Sequence, residues 1–291
     1  MVRGFAQMSR KLEILVVATA LAVLAGEAVR AEPEPSPATA GASAAAQPPV
    51  SETLQQVTVS AQHLKPDWAQ RNELVQKAAS FVFGIAAVDF YKEYPPMWSV
   101  PVCPLVTGLP REQGLFVFWR ISEIVRAAGA RLGGEECRPN LFIFVTDQPK
   151  ELLRTMKSRR FLIIFGAASA SRVDQFIEEP GAVKVWHNTF QGSIGTGPVN
   201  VVVDRTRLHG VSQRQLADYL GMVVLAEFKS KAHLGDAQTI LKLFDGPPDS
   251  APEGLSDWDQ EFLKILYHPQ WSLANPRANI ARRMVDELVP K

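Results

Sequence analysis

The chain carries almost no net charge: 31 basic residues stand against 30 acidic ones, leaving +1 over 291 residues. A chain this close to neutral offers no electrostatic footprint for nucleic acid and no polybasic patch for an anionic membrane surface. Histidine is scarce. The five present (His63, His187, His209, His233 and His268) fall on separate segments, and no H-x-x-x-H pair occurs. A catalytic zinc takes three protein ligands drawn from His, Cys or carboxylate, and this spacing supplies no such set; no metal and no other cofactor are expected. Long apolar runs are missing too. A membrane span needs ~20 apolar residues, and Ile14 to Gly26 stops well short. The glycine-rich stretch Gln191 to Pro198 lacks the Lys-Ser/Thr pair of a phosphate-binding loop, is not directly followed by a helix, and contains no G-x-S-x-G nucleophile elbow. It reads as a hairpin loop.

The N-terminus has the pattern of a secretory signal. Arg3, Arg10 and Lys11 form a positive n-region, Ile14 to Gly26 an h-region, and Val29-Arg30-Ala31 a cleavage site with small residues at both recognition positions. Residues 1–31 are therefore expected to be a leader, in preference to a membrane anchor, and no cysteine near the cut favours a lipoprotein. Its removal takes four basic and two acidic residues and moves the net charge from +1 to −1. Residues 32–62 follow as a Pro/Ala/Ser-rich tether with too little bulky apolar surface to offset its ordering entropy. The rest, 63–291, reads as a single domain, with an N-terminal helical part (63–138) and a core (139–291). The only cysteines, Cys103 and Cys137, both lie in the exported part. An even pair in an oxidising compartment reads as a disulfide, the alternative being two buried thiols.

Periodicity supplies the elements. Asp67 to Phe90 shows helical spacing through Leu74, Val75, Ala78, Phe81 and Val82. Pro110 opens a helix through Phe116, Ile121, Ile124 and Val125 that closes at Gly129. Leu141 to Thr146 is apolar on both faces, as a central strand is. After a short helix come strands at Val183 to Thr189 and Val199 to Asp204. Ser212 caps a helix over Gln213 to Lys229, Ser256 caps one over Asp257 to Tyr267, and Pro276 precedes a last amphipathic helix.

The segment Arg214-Gln215-Leu216-Ala217-Asp218-Tyr219-Leu220-Gly221-Met222, extended to Val224, has the spacing of the zinc-protease helix H-E-x-x-H-x-x-G-x-x-H. Arg214 and Asp218 stand at the first two histidine positions, Val224 at the third and Gln215 at the glutamate; only Gly221 is kept. On these residues the chain resembles zincin-type domains, and more closely secreted bacterial families of unknown function whose motif helix is degenerate. Those carry an acidic, aliphatic Leu-Tyr segment downstream, here Gly254 to Tyr267. The run Pro101-Val102-Cys103-Pro104-Leu105-Val106-Thr107-Gly108-Leu109-Pro110 resembles a signature of proteobacterial exported proteins. The resemblance spans roughly 139–290. It implies an α+β, zincin-like fold: a small mixed sheet packed on a buried motif helix with flanking helices. Gln55 to Gln62 also looks like the energy-coupling box of outer-membrane receptors, but the chain has no train of ~10-residue alternating strands to build a barrel.

The chemistry of the motif positions argues against retained zinc. Arg214 repels a cation, the Gln215 amide is no general base, and Asp218 offers one carboxylate. A helix apolar all round is buried, so Asp218 is expected to be an interior carboxylate. It is either structural, held by a backbone amide, an Arg or a Tyr, or a repurposed site. Gly221 reads as a point where another backbone crosses the helix. Trp186, His187 and Asn188 stand where a zinc protease binds substrate by strand addition, against the plainer reading of a core Trp on a polar edge. A Ser-His-Asp set drawn from Ser193, His187 and Asp204 has no support in the spacing. The expectation is an exported, non-catalytic zincin-like protein, periplasmic or secreted, with a structural role or one in binding an envelope protein or peptide. The alternative is a secreted hydrolase with an unrecognised site.

Overall fold

In the computed structural model the described residues are 68–85, 96–190, 193–194, 197–229, 234–235, 237–267 and 276–289. All belong to one compact unit, Ser60–Lys291. The expected leader, the tether and the box-like Gln55 to Gln62 lie outside them, as do the end of the first helix beyond residue 85, His63, His233 and His268.

Seven strands are described: β1 (Met97–Trp98), β2 (Pro104–Thr107), β3 (Leu141–Thr146), β4 (Val183–Trp186), β5 (Thr189–Phe190), β6 (Ser193–Ile194) and β7 (Val199–Asp204). The main sheet has the order β2-β3-β7-β4. The first three run parallel and β4 pairs antiparallel with β7 at the edge. The short strands β1, β6 and β5 form a second sheet; the glycine-rich stretch read as a loop joins the antiparallel strands β4 and β7, but it also carries β6, which pairs with β5. Its residues 191, 192, 195 and 196 lie outside the described set.

The helices are α1 (Trp68–Ile85), α2 (Arg111–Ala127), α3 (Pro149–Phe165), α4 (Ala170–Glu178), α5 (Gln213–Leu225), α6 (Asp257–Leu266) and α7 (Pro276–Leu288). The chain is thus a mixed α+β protein with a small mixed sheet. Helices cover both sheet faces. Leu141, Ile143 and Val145 of β3, with Val201 and Val203 of β7, pack into the larger core with α2 and α5, and α1, α6 and α7 close over them. Val202 and Phe144 point the other way, into a smaller core with Leu153 and Phe165 of α3 and Val173 and Ile177 of α4. This alternation is the period-two pattern of a sheet buried on both sides.

The second helical layer is longer than the expected short helix. α3 runs 17 residues with a non-helical break at Arg160, and α4 adds nine. The apolar residues of α3 fall in two groups, Leu152 to Met156 and Phe161 to Phe165, split by the polar run Lys157 to Arg160, so no continuous helical period announces a helix of that length. In α2 the core residue is Val117, while Phe116 turns to solvent, correcting the face read from periodicity. Strand β4 ends at Trp186 rather than Thr189. There the Asn188 side chain turns the chain, with Nδ2 donating to the carbonyls of Ile164 at 2.9 Å and Pro198 at 2.6 Å.

Helix α5 starts as read, in a capping box of Ser212 and Gln215. It stops at Leu225, four residues early, because its last carbonyls have partners from elsewhere. Trp98 Nε1 donates to Val224 O at 2.7 Å and the Tyr267 hydroxyl to Leu225 O at 2.6 Å, and Ala226 is already extended. The close neighbour at Gly221 is a side chain, not a crossing backbone. A Cβ there would stand 2.5 Å from Ile124 Cδ1, so the missing methyl lets α2 and α5 pack in contact. Cys103 and Cys137 form the disulfide. Among the described residues no helix is long and apolar enough to cross a membrane.

Candidate groove beside the edge strand

The motif positions of α5 do not face an open cleft. They clasp the segment 248–255. Gln215 is buried, and its Nε2 donates to the carbonyls of Pro248 at 3.0 Å and Pro252 at 3.2 Å. Asp218 is fully buried; its Oδ2 accepts from the Leu255 amide at 2.9 Å. The Arg120 guanidinium reaches across from α2 and grips the same carboxylate with both arms, Nε to Oδ1 at 2.5 Å and Nη2 to Oδ2 at 3.0 Å. That contact holds the Arg120 pKa above its ordinary value, against the desolvation that lowers it. Arg214 lies against Gly254, where any Cβ would overlap Asp218 Oδ2. Val224 is buried in the larger core. Asp218 therefore has the company that suits an interior carboxylate, one Arg and one backbone amide, and no surface left for a ligand. Among the described residues no three His, Cys, Asp or Glu side chains gather closely enough to hold a metal ion.

A second buried carboxylate, Asp259, sits in the first turn of α6 behind the Ser256 cap, where its sequence position gives no sign of burial. Asp259 completes a capping box with Ser256 and accepts from Ile240 N at 2.9 Å and Thr239 Oγ1 at 2.5 Å. Burial raises its pKa and these donors limit the rise. Its partners explain it as a staple between α6 and the 3-10 turn Ile240–Phe244.

An open concavity lies on the other side of α5; another, of about 540 Å³, lies between the starts of α2 and α5 and is lined by no strand. A groove of about 440 Å³ runs along β4. One wall is α4, with Arg172, Phe176 and Glu179; the other is α5 and the chain after it, with Tyr219, Val223 and Phe228. The strand between them has one unpaired side. The Asp204 amide donates to the Ala182 carbonyl at 2.8 Å, which fixes the phase of the β4–β7 ladder. Ala182, Lys184 and Trp186 thus point their amides and carbonyls at β7, and Val183 and Val185 point theirs into the groove, where they meet no partner among the described residues.

Trp186, His187 and Asn188 all lie at one end of this strand. Trp186 is largely buried, packed edge-on against Phe165 and Phe176, and its Nε1 donates to Asn188 Oδ1 at 3.3 Å. It is the core Trp of the plainer reading and also part of the groove floor. Asn188 shares its side of the strand, as alternation requires. His187 faces away from them and lines the groove; its Nε2 is sealed from solvent and has no partner. Burial pushes its pKa down to about 4, with the carbonyls of Val224 and Val223 pulling the other way. Asp204 lies at the Ala182 end of the ladder and caps the turn Arg205–Arg207, so His187 and Asp204 are not brought together. Lys184 is buried on the α4 side. Its Nζ donates to Phe176 O at 2.9 Å and to Glu179 O, and burial lowers its pKa. Burial likewise raises the Tyr219 phenol to about 12, with the charge of Asp245 adding to it.

The His187 shift carries a pH dependence. A base whose folded-state pKa lies below its unfolded value favours the fold when neutral; that stability is complete above ~6.5 and is lost as pH falls through ~4. The residue keeps some solvent contact, so the loss is about 2 kcal/mol. Urea midpoints at pH 7 and pH 4 for the wild type and His187→Gln measure it. The variant is expected to lose less on acidification by about that amount, and equal losses would show that the imidazole is solvated in the fold.

Neither a protein-family model nor a curated protein nor a solved structure matches the chain.

Proposed function

We propose that this chain is an exported, non-catalytic binding protein of the cell envelope that takes up an extended peptide as an added strand along β4. The observation that carries the reading is the open side of that strand: the free amides and carbonyls of Val183 and Val185 at the floor of a groove with a helical wall on each side. Main-chain pairing supplies affinity in this mode, and alternate side chains of the peptide meet the two walls. The opposite edge strand, β2, begins with a proline on its unpaired side, which blunts that edge against strand addition and leaves β4 as the open one. Export rests on the signal-like N-terminus and is supported by a disulfide pair suited to an oxidising compartment. The finer kinship, a zincin-like domain without its zinc, is supported by the antiparallel edge strand beside a buried helix whose motif positions hold a loop.

A single substitution tests the binding mode. The Val185 amide points into the groove and takes no part in the ladder to β7, so Val185→Pro removes that donor while leaving the sheet paired. The probe is a blocked, fluorescent octapeptide of alternating valine and threonine, read by anisotropy. Saturable binding to the wild type is expected, weakened about tenfold in Val185→Pro by loss of one hydrogen bond. No binding to the wild type, or equal binding to both, overturns the proposal, and cleavage of the peptide on incubation would reinstate a hydrolase.

A further inference from the structure

The groove also indicates what its occupant carries. Three cations and two carboxylates, Glu179 and Glu227, line it, and two of the cations are already engaged. Lys184 donates to the carbonyls of Phe176 and Glu179, and Lys229 Nζ donates to the Phe83 carbonyl at 2.6 Å. Arg172 stands apart. It is exposed on the α4 wall, its guanidinium lies 5.4 Å from the centre of the Trp186 ring, and its side chain makes no ion pair with a described residue. A guanidinium laid on an indole face is held in place while its N–H edge stays free, and that edge matches a carboxylate with two parallel hydrogen bonds. Trp186 belongs to β4 itself, so this edge is presented beside the strand an added peptide would pair with. The facing wall, Tyr219, Val223 and Phe228, offers apolar surface and a phenol that burial keeps neutral.

We infer that the peptide bound along β4 has an acidic side chain, read by Arg172, on the face turned to α4 and apolar side chains on the face turned to α5. The inference rests on the strand-addition reading. A peptide strand alternates its side chains between the two walls, so the two preferences fall on alternate residues. One acidic residue flanked by two aliphatic ones is the smallest pattern that satisfies both.

The test uses the full mature chain and the valine–threonine octapeptide with one central threonine replaced by Asp, Asn or Lys. Anisotropy titrations at low and high salt are expected to rank the Asp peptide about fivefold tighter than the Asn peptide at low salt and the Lys peptide weakest, the spread shrinking as salt screens the contact. In Arg172→Gln the ranking should flatten, and in Arg172→Glu the Lys peptide should move to first place. Arg172 is exposed, so both variants are expected to fold, which their thermal midpoints check. Binding of all three peptides with equal affinity to the wild type overturns the acidic preference and leaves strand addition standing. A ranking that survives unchanged in Arg172→Glu overturns the role of Arg172. Absence of binding by every peptide removes strand addition itself, and this inference with it.

Discussion

Asp218→Ala is expected to destabilise the protein by about 3 kcal/mol without touching peptide binding under conditions where the variant is folded. The carboxylate is fully buried and satisfies three donors, two on Arg120 and one on the Leu255 amide. Truncation leaves a partly buried guanidinium with only the exposed Glu123 carboxylate, 3.2 Å from its Nη1, as counter-charge, and a backbone amide with no acceptor, and both losses act at once. Exposure of Arg120 to water at its far side limits the cost, since about a quarter of its side chain remains accessible (28%). A double-mutant cycle with Arg120→Met separates the terms. The double variant should be closer to wild type than Asp218→Ala alone, because it leaves no partly buried cation deprived of its buried partner. Chemical denaturation checks this. A double variant whose loss equals the sum of the singles would mean that the pair is not the source of the loss. The peptide arm matters equally. Asp218 lies on the face of α5 turned to Arg120 and Leu255, whereas Tyr219 and Val223 line the groove. A folded Asp218→Ala protein that fails to bind the probe peptide would move the functional site to the motif positions.

The contrast between Asp218 and Arg120 also shows where sequence reasoning reaches and where it stops. The buried carboxylate was legible because α5 has almost no polar face, and so was the kind of partner it needs. Which arginine supplies it was not. Arg120 is 98 positions away on another helix, and one sequence carries no signal of that pairing. The same division holds across the fold. The start of α5, the proline before α2, the left-handed Gly129 after it and the doubly buried strand β3 are written in neighbouring residues. The layer formed by α3 and α4 is set by how the sheet stacks, and the groove is assembled from residues 172–187 and 219–229, whose meeting depends on β4 turning antiparallel. Gln215 cannot act as a general base, and Asp218 alone is too few ligands for a zinc. Their work, holding segment 248–255, appears only when that segment is in place beside them.

Replacing both Cys103 and Cys137 with alanine is expected to cost about 3–4 kcal/mol, with the native geometry at β2 retained. The two residues are 34 apart, and in the chain-entropy account a closed loop of that length stabilises chiefly by restricting the unfolded ensemble. The folded state keeps its own ties at the same place. The Cys103 carbonyl accepts the Asn140 and Leu141 amides at 3.1 and 3.2 Å, its amide donates to Asn140 Oδ1 at 2.8 Å, and the Gly133 amide donates to the Val102 carbonyl at 2.8 Å. These bonds hold the start of β2 against the 133–141 segment whether or not the sulfurs are joined. The largest effect should therefore appear in the urea midpoint rather than in the native structure, and reduction of the wild type should reproduce the loss seen in the double alanine variant. Strand β2 is at the far edge of the sheet from β4, separated from it by β3 and β7, so the folded variant is expected to bind the probe peptide as the wild type does. A loss under about 1 kcal/mol would mean that the unfolded chain is already restrained without the crosslink. Peptide binding that weakens in step with the missing disulfide, in protein that is still folded, would mean that the two sheet edges are coupled and that the groove is not fixed by α4 and α5 alone.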